Sequence, residues 1–113
     1  MSGAEERELL EWAAKAVGYM GRVEFNGSTG EFFFAFDMSA QNPRGRSTWS
    51  PRHDDGDALR LAVKLHMGLS IHEQHCMACA QLGTMQTVRD IPTEEATRLA
   101  IFRAAAAIGK AMP

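Results

Sequence analysis

An acidic helix start running directly into an apolar helical stripe constrains this chain more than any other feature. Asp54-Asp55-Gly56-Asp57 is followed by Ala58, Leu61, Ala62 and Leu65 at helical spacing, and Leu59 and Val63 widen the stripe. That spacing defines one face of a helix, and the face needs a core to cover it. The acids stand where they do for a physical reason. A helix N-terminus leaves backbone N–H groups without partners, and carboxylates both cap them and meet the positive end of the helix dipole. Asp54 or Asp55 is the expected N-cap, with Asp57 in the first turn. A divalent-metal site is the alternative for three clustered acids, but they lack the spacing and the closing Glu of a calcium loop. Trp49-Ser50-Pro51 precedes them, and its indole is expected to pack near the helix start and orient the loop.

The remaining elements fall on either side. Ala4 to Val17 reads as a first helix, with Leu9, Trp12, Ala13 and Ala16 on its core face and Gly18 as its stop. Arg22–Phe25 and Glu31–Asp37 read as strands flanking the turn signal Asn26-Gly27-Ser28-Thr29-Gly30. Aromatics occupy both faces of the second of these, which implies a central strand or one with a face left for a partner. Ser39 to Ser47 is a polar loop, and Gly68 is placed to end the second helix. Leu69–Glu73 and Thr84–Val88 form the second strand pair, and Thr93 can cap the final helix with Glu94 and Glu95 in its first turn.

The order α-β-β-α-β-β-α predicts an α+β fold: a four-stranded antiparallel sheet packed with three helices, in one domain spanning residues 1–113. The two halves show no sequence repeat. In the final helix Leu99, Phe102 and Ala106 mark one apolar face and Ile101, Ala105, Ile108 and Met112 another. So broad a surface implies intramolecular packing, with a homodimer contact as the alternative.

Composition narrows the function classes. At 113 residues the chain can bury roughly two-thirds of its unfolded surface. A net charge of −2 gives no electrostatic footprint for nucleic acid. No run approaches the ~18–20 apolar residues needed to cross a bilayer. The acidic N-terminus Met1-Ser2-Gly3-Ala4-Glu5-Glu6 lacks a secretory pattern, so a cytosolic location with reduced cysteines is expected.

The stretch Trp49-x-Pro51 with Asp54 to Leu65 resembles a family of small proteins of tailed bacteriophages and prophages, and two further segments agree with it. Glu8-Leu9-Leu10-Glu11-Trp12-Ala13-Ala14-Lys15-Ala16-Val17-Gly18-Tyr19 is similar to that family's first helix, and Glu95 to Met112 to its last. The resemblance implies an α–β–α sandwich-like domain, more distantly similar to the NinX-like phage proteins, in the cytoplasm of a bacterial host. It implies no established activity and supplies no catalytic residues.

Two sets of residues are candidates for function. Arg44, Arg46, Arg52 and His53, with Trp49 beside them, offer long cationic side chains next to an aromatic, suited to a protein partner. A nucleic-acid backbone is a weaker match for the same set. The alternative is His72, His75, Cys76 and Cys79: Cys-x-x-Cys is a common way for one turn to give zinc two thiolates, with His66 as a further donor. Structural zinc sites draw a second ligand pair from a separate element, and this chain has none. A redox role is disfavoured because the pair does not sit at a strand-to-helix junction. No phosphate-binding loop or nucleophile elbow is present. The expected function is therefore a non-enzymatic phage accessory protein that needs no cofactor. It binds and inhibits a host protein, a counter-defence factor such as an anti-CRISPR being one instance, and the alternative is a zinc-binding or hydrolytic protein.

Overall fold

The computed structural model describes residues 3–37, 48–79 and 85–112. Helix α1 (Gly3–Ala16) leads into strands β1 (Gly21–Asn26), β2 (Glu31–Phe36) and β3 (Thr48–Trp49). Helix α2 (Asp55–Lys64) leads into β4 (Gly68–Ile71), β5 (His75–Cys79) and β6 (Met85–Arg89), and α3 (Thr93–Ala111) follows. The fold is α+β, but the strands do not share one sheet. They form two antiparallel three-stranded sheets, β1-β2-β3 and β4-β5-β6.

The expected four-stranded sheet is thus corrected by two additional strands and a division. β3 is only two residues long, below the length at which alternation can be seen. β5 was hidden by its Cys-x-x-Cys pattern, although Cys76 and Ala78 are buried and alternate as strand residues should. Thr84, expected to open the last strand, lies outside the described residues. The division has a packing cause. α1 contacts β1 and β2 on one side and α3 on the other, while α3 contacts β5 and β6. Each sheet therefore covers a helical surface that the other cannot reach. The two halves repeat the order α-β-β-β even though their sequences show no repeat.

The repeat extends to how α1 and α2 stop. Gly18 donates its N–H to Lys15 C=O (3.1 Å) and Tyr19 to Ala14 C=O (3.0 Å), with Gly18 at φ +74°. His66 donates to Val63 C=O (3.1 Å) and Met67 to Ala62 C=O (2.9 Å), with His66 at φ +53°. Both are Schellman closures, which need one left-handed residue just past the helix. The second helix therefore stops at His66, and Gly68 opens β4 instead of ending the helix. At the start of α3, Pro92 occupies the N-cap with no side-chain bond, and Thr93 is already helical, where its C=O accepts from the Thr97 hydroxyl at 2.7 Å.

α3 is the centre of the core. Ala96, Leu99, Ala100, Ile101, Phe102 and Ala104–Ala106 are all buried, because α1, α2, β5 and β6 cover it from different sides. Most of its broad apolar surface is consumed within the chain, while Ile108 is half-buried and Met112 is exposed. α1 buries Leu10, Ala13, Ala14 and Val17, a stripe rotated by about one position from the expected Leu9–Trp12–Ala13–Ala16 face. Small residues face α3 because the two backbones nearly touch: a Cβ on Gly109 would lie 1.8 Å from Trp12 O. α2 buries Ala58, Leu61 and Ala62, but Leu59 and Val63 stay 57% and 66% exposed instead of widening the buried stripe. No described helix is long and apolar enough to cross a membrane.

Two stability outcomes follow from these positions. His66→Gly should raise stability by about 0.5–1 kcal/mol in urea denaturation, since relief of left-handed strain exceeds the added unfolded-state entropy. Gly109→Ala should lower it by about 3 kcal/mol despite alanine's better helix propensity, because the methyl must displace backbone.

Candidate functional site

The segment from Trp49 to Asp57 joins every layer of the molecule. Trp49 pairs with Phe34 across β2–β3, and Phe34 with Val23 across β1–β2, so these buried residues line one face of the first sheet. The indole meets Tyr19 and Phe34 edge-on at centroid distances of 5.0 and 6.0 Å, and Phe36 adds to the same cluster. Edge-to-face pairs of this kind stabilise beyond the area they bury. Pro51 is fully buried beside them.

Polar contacts extend the junction. Asp54 caps α2 by accepting the Asp57 N–H at 2.8 Å. Asp57 is only 1% exposed, and it accepts from the Ser50 N–H and from Arg60 Nη2, both at 2.9 Å. The carboxylate thus fastens the loop to its helix. Burial, and after it the Asp57 charge, pushes the Tyr19 phenol above its ordinary pKa, with Arg60 acting in the opposite direction. Asp55 pairs with Arg98 of α3 at 2.5 Å. The three acids act as cap, clasp and tether.

Arg52 donates to Glu95 of α3 at 3.1 Å, and its own C=O accepts from Arg98 Nε at 3.2 Å. His53 lies between Glu6 of α1 (2.9 Å) and Glu31 of β2 (3.1 Å), one at each ring nitrogen. A neutral imidazole carries one N–H, so both contacts are hydrogen bonds only in the imidazolium form. Arg52 and His53, offered by the sequence as cations for a partner, both tie elements of the fold together. Arg44 and Arg46 lie outside the described residues.

The His/Cys segment does not converge. Cys76 is buried against α3 with its Sγ 3.4 Å from the Thr97 hydroxyl, whereas Cys79 is exposed. Three positions apart on one strand, they point to opposite faces, which a helix or a tight turn would have avoided. His72 and His75 stack on each other at 4.5 Å, and His72 Nε2 is 2.7 Å from Ser70 Oγ. His66 belongs to the α2 closure. Among the described residues no group of three or more His, Cys, Asp or Glu is arranged to hold a metal ion.

Among the described residues, exposed apolar side chains adjoin a groove in two places, apart from the exposed Met20, Met85 and Met112. At the end of β1, Phe25 is 57% exposed and leans edge-on against Phe32 at 5.0 Å. Phe32 and Phe33 line an adjoining groove of about 350 Å³, walled on its far side by Thr48, Ser50, His53 and Asp54. Aromatics on both faces of β2 were the sequence signal for it; the exposure of Phe25 had none, because β1 alternates as a half-buried strand. The second place lies between α2 and β4, where Leu59, Leu69 and Ile71 line a groove of about 330 Å³ over Ala58 and Ile101.

No protein-family model, curated protein or solved structure matches this chain.

Asp57→Ala should lower stability by about 3 kcal/mol in chemical denaturation, since the Ser50 N–H and the Arg60 guanidinium both lose a charged partner. A change below about 0.5 kcal/mol would show that the loop is held by Trp49 and Pro51 alone.

Proposed function

We propose that this chain is a non-enzymatic bacteriophage accessory protein that binds a host bacterial protein and inhibits it by occlusion. Counter-defence, such as anti-CRISPR action, is one instance of such a role. The observation that supports binding is the aromatic end of the first sheet, where exposed Phe25 packs edge-on against half-buried Phe32, and Phe32 and half-buried Phe33 line a groove with His53. Aromatic side chains present large contact area at low entropic cost, and they dominate the energetic centres of protein interfaces. Arg44 and Arg46 fall in sequence between β2 and β3, which makes them the cations of this reading. Trp49, Arg52 and His53 act from behind, fixing the wall against which a partner would press. The phage setting draws on the resemblance of Trp49–Leu65 and the two terminal helices.

The test is capture of a host protein from bacterial lysate by the untagged-face protein, meaning one immobilised through its C-terminus. Phe25→Asp and Phe33→Asp should each reduce recovery of a saturably bound partner more than tenfold, with the melting transition little changed. Arg44→Glu with Arg46→Glu should weaken it further. Cys79→Ser should leave capture intact. Equal capture by the phenylalanine variants sinks the assignment of this surface, and loss on Cys79→Ser alone would favour the zinc-dependent alternative.

A further inference from the structure

The α2–β4 surface is separate from the aromatic end and has its own geometry. The His72 N–H donates to His75 C=O at 2.9 Å, which sets the phase of the β4–β5 ladder. Counting back through the register Ile71↔Cys76, Ser70↔Met77, Leu69↔Ala78 and Gly68↔Cys79, Ser70 and Gly68 exchange bonds with β5. Leu69 and Ile71 are the alternate pairs, so their N–H and C=O groups point away from β5, toward an edge that no other described strand pairs with. Their side chains share a face with Cys76 and Ala78, yet stay 37% and 55% exposed.

Exposed edges are normally protected by charge, proline or shortness. β1 carries Arg22 and Glu24, β6 carries Arg89, and β3 is two residues long. β4, Gly-Leu-Ser-Ile, has neither charge nor proline. Beside it, the four-residue spacing of Leu59 and Val63 makes an uncovered apolar stripe on α2.

We propose that a second copy of this chain docks on the β4 edge about a twofold axis through Ser70. In that register Leu69 pairs with Ile71 of the other copy and Ile71 with its Leu69. The outward N–H and C=O groups are then satisfied reciprocally, and the two sheets become one of six strands. The Leu59 and Val63 stripes of the two α2 helices approach each other over the joined strands. A twofold brings like residues together, and a charged strand would repel itself there. β4 is self-complementary because it has no charge. Two strand edges and four apolar side chains per copy form the centre of an interface that needs roughly 800 Å² per partner, with Asp55, Glu94 and Arg98 of the same groove at the rim. This surface is independent of the proposed host-binding face.

Sedimentation equilibrium on the full chain tests it. At rising concentration the mass should approach twice the 12.4 kDa of one chain, and exchange of the Leu69 and Ile71 amides should slow at least tenfold in parallel. Leu69→Lys places a charge opposite Ile71 of the other copy and should leave a folded monomer. Ile71→Pro removes an N–H that the β4–β5 register directs away from β5, so it should also fold and remain monomeric. Leu69→Met should still dimerise, as should Phe25→Asp. A wild-type monomer at millimolar concentration overturns the proposal, and so does a dimer that survives Leu69→Lys. If Ile71→Pro fails to fold, Leu69→Lys and the amide exchange decide.

Discussion

The near-contact of two helix backbones at Trp12 and Gly109 is the constraint around which the rest of the molecule is arranged. Glycine in a helix costs about 1 kcal/mol relative to alanine, so its presence there needs an offsetting gain. The gain is proximity. With Ala13 and Ala14 on α1 and Ala104 to Ala106 on α3 buried in the same core, the helices come close enough to form a thin shared layer. A thin layer exposes two broad outer faces, and each recruits its own sheet: Val23, Phe34 and Trp49 line one, Cys76, Ala78 and Val88 the other. The number of sheets follows from how tightly the helices pack.

Polar chemistry gathers where these layers must be joined. The loop ahead of α2 contacts α1 through His53 and Glu6, β2 through Glu31, and α3 through Glu95 and Arg98. Asp57, buried beneath the loop, holds it to its helix. Much of the charged inventory that looks functional in the sequence is structural mortar.

The sequence disclosed elements more readily than their neighbours. The Asp54 cap and the buried stripe of Ala58, Leu61 and Ala62 were legible because they obey local rules of capping and periodicity. The turn at Asn26–Gly30 was legible for the same reason: its residues choose the backbone. Leu59 and Val63 were misassigned to the core because periodicity identifies an apolar face but not whether anything reaches it. β5 was missed because Cys76 and Cys79 suggested a metal knuckle, and only its pairing with β4 and β6 shows the strand. The roles of Arg52 and His53 depend on partners more than 40 positions away, at Glu95 and Glu6, which no local pattern encodes. Phe32 and Phe33 were half-legible, flagged by aromatics on two faces of a strand, whereas the exposure of Phe25 had no signal.

Helix α3 has a consequence for how the chain is made. α1 packs against an element whose first residue is Thr93, and the Lys15 ammonium donates to the Met112 carbonyl across 97 positions. A nascent chain emerging from the ribosome therefore presents α1 and the first sheet long before their central partner exists. Vectorial folding can produce local hairpins and helix ends, but the core must wait for release of the last helix. Until then the faces of β5 and β6 that α3 covers, with Cys76, Ala78 and Val88, have no partner, so the interval between synthesis and closure is when this protein is most open to chaperones and to aggregation.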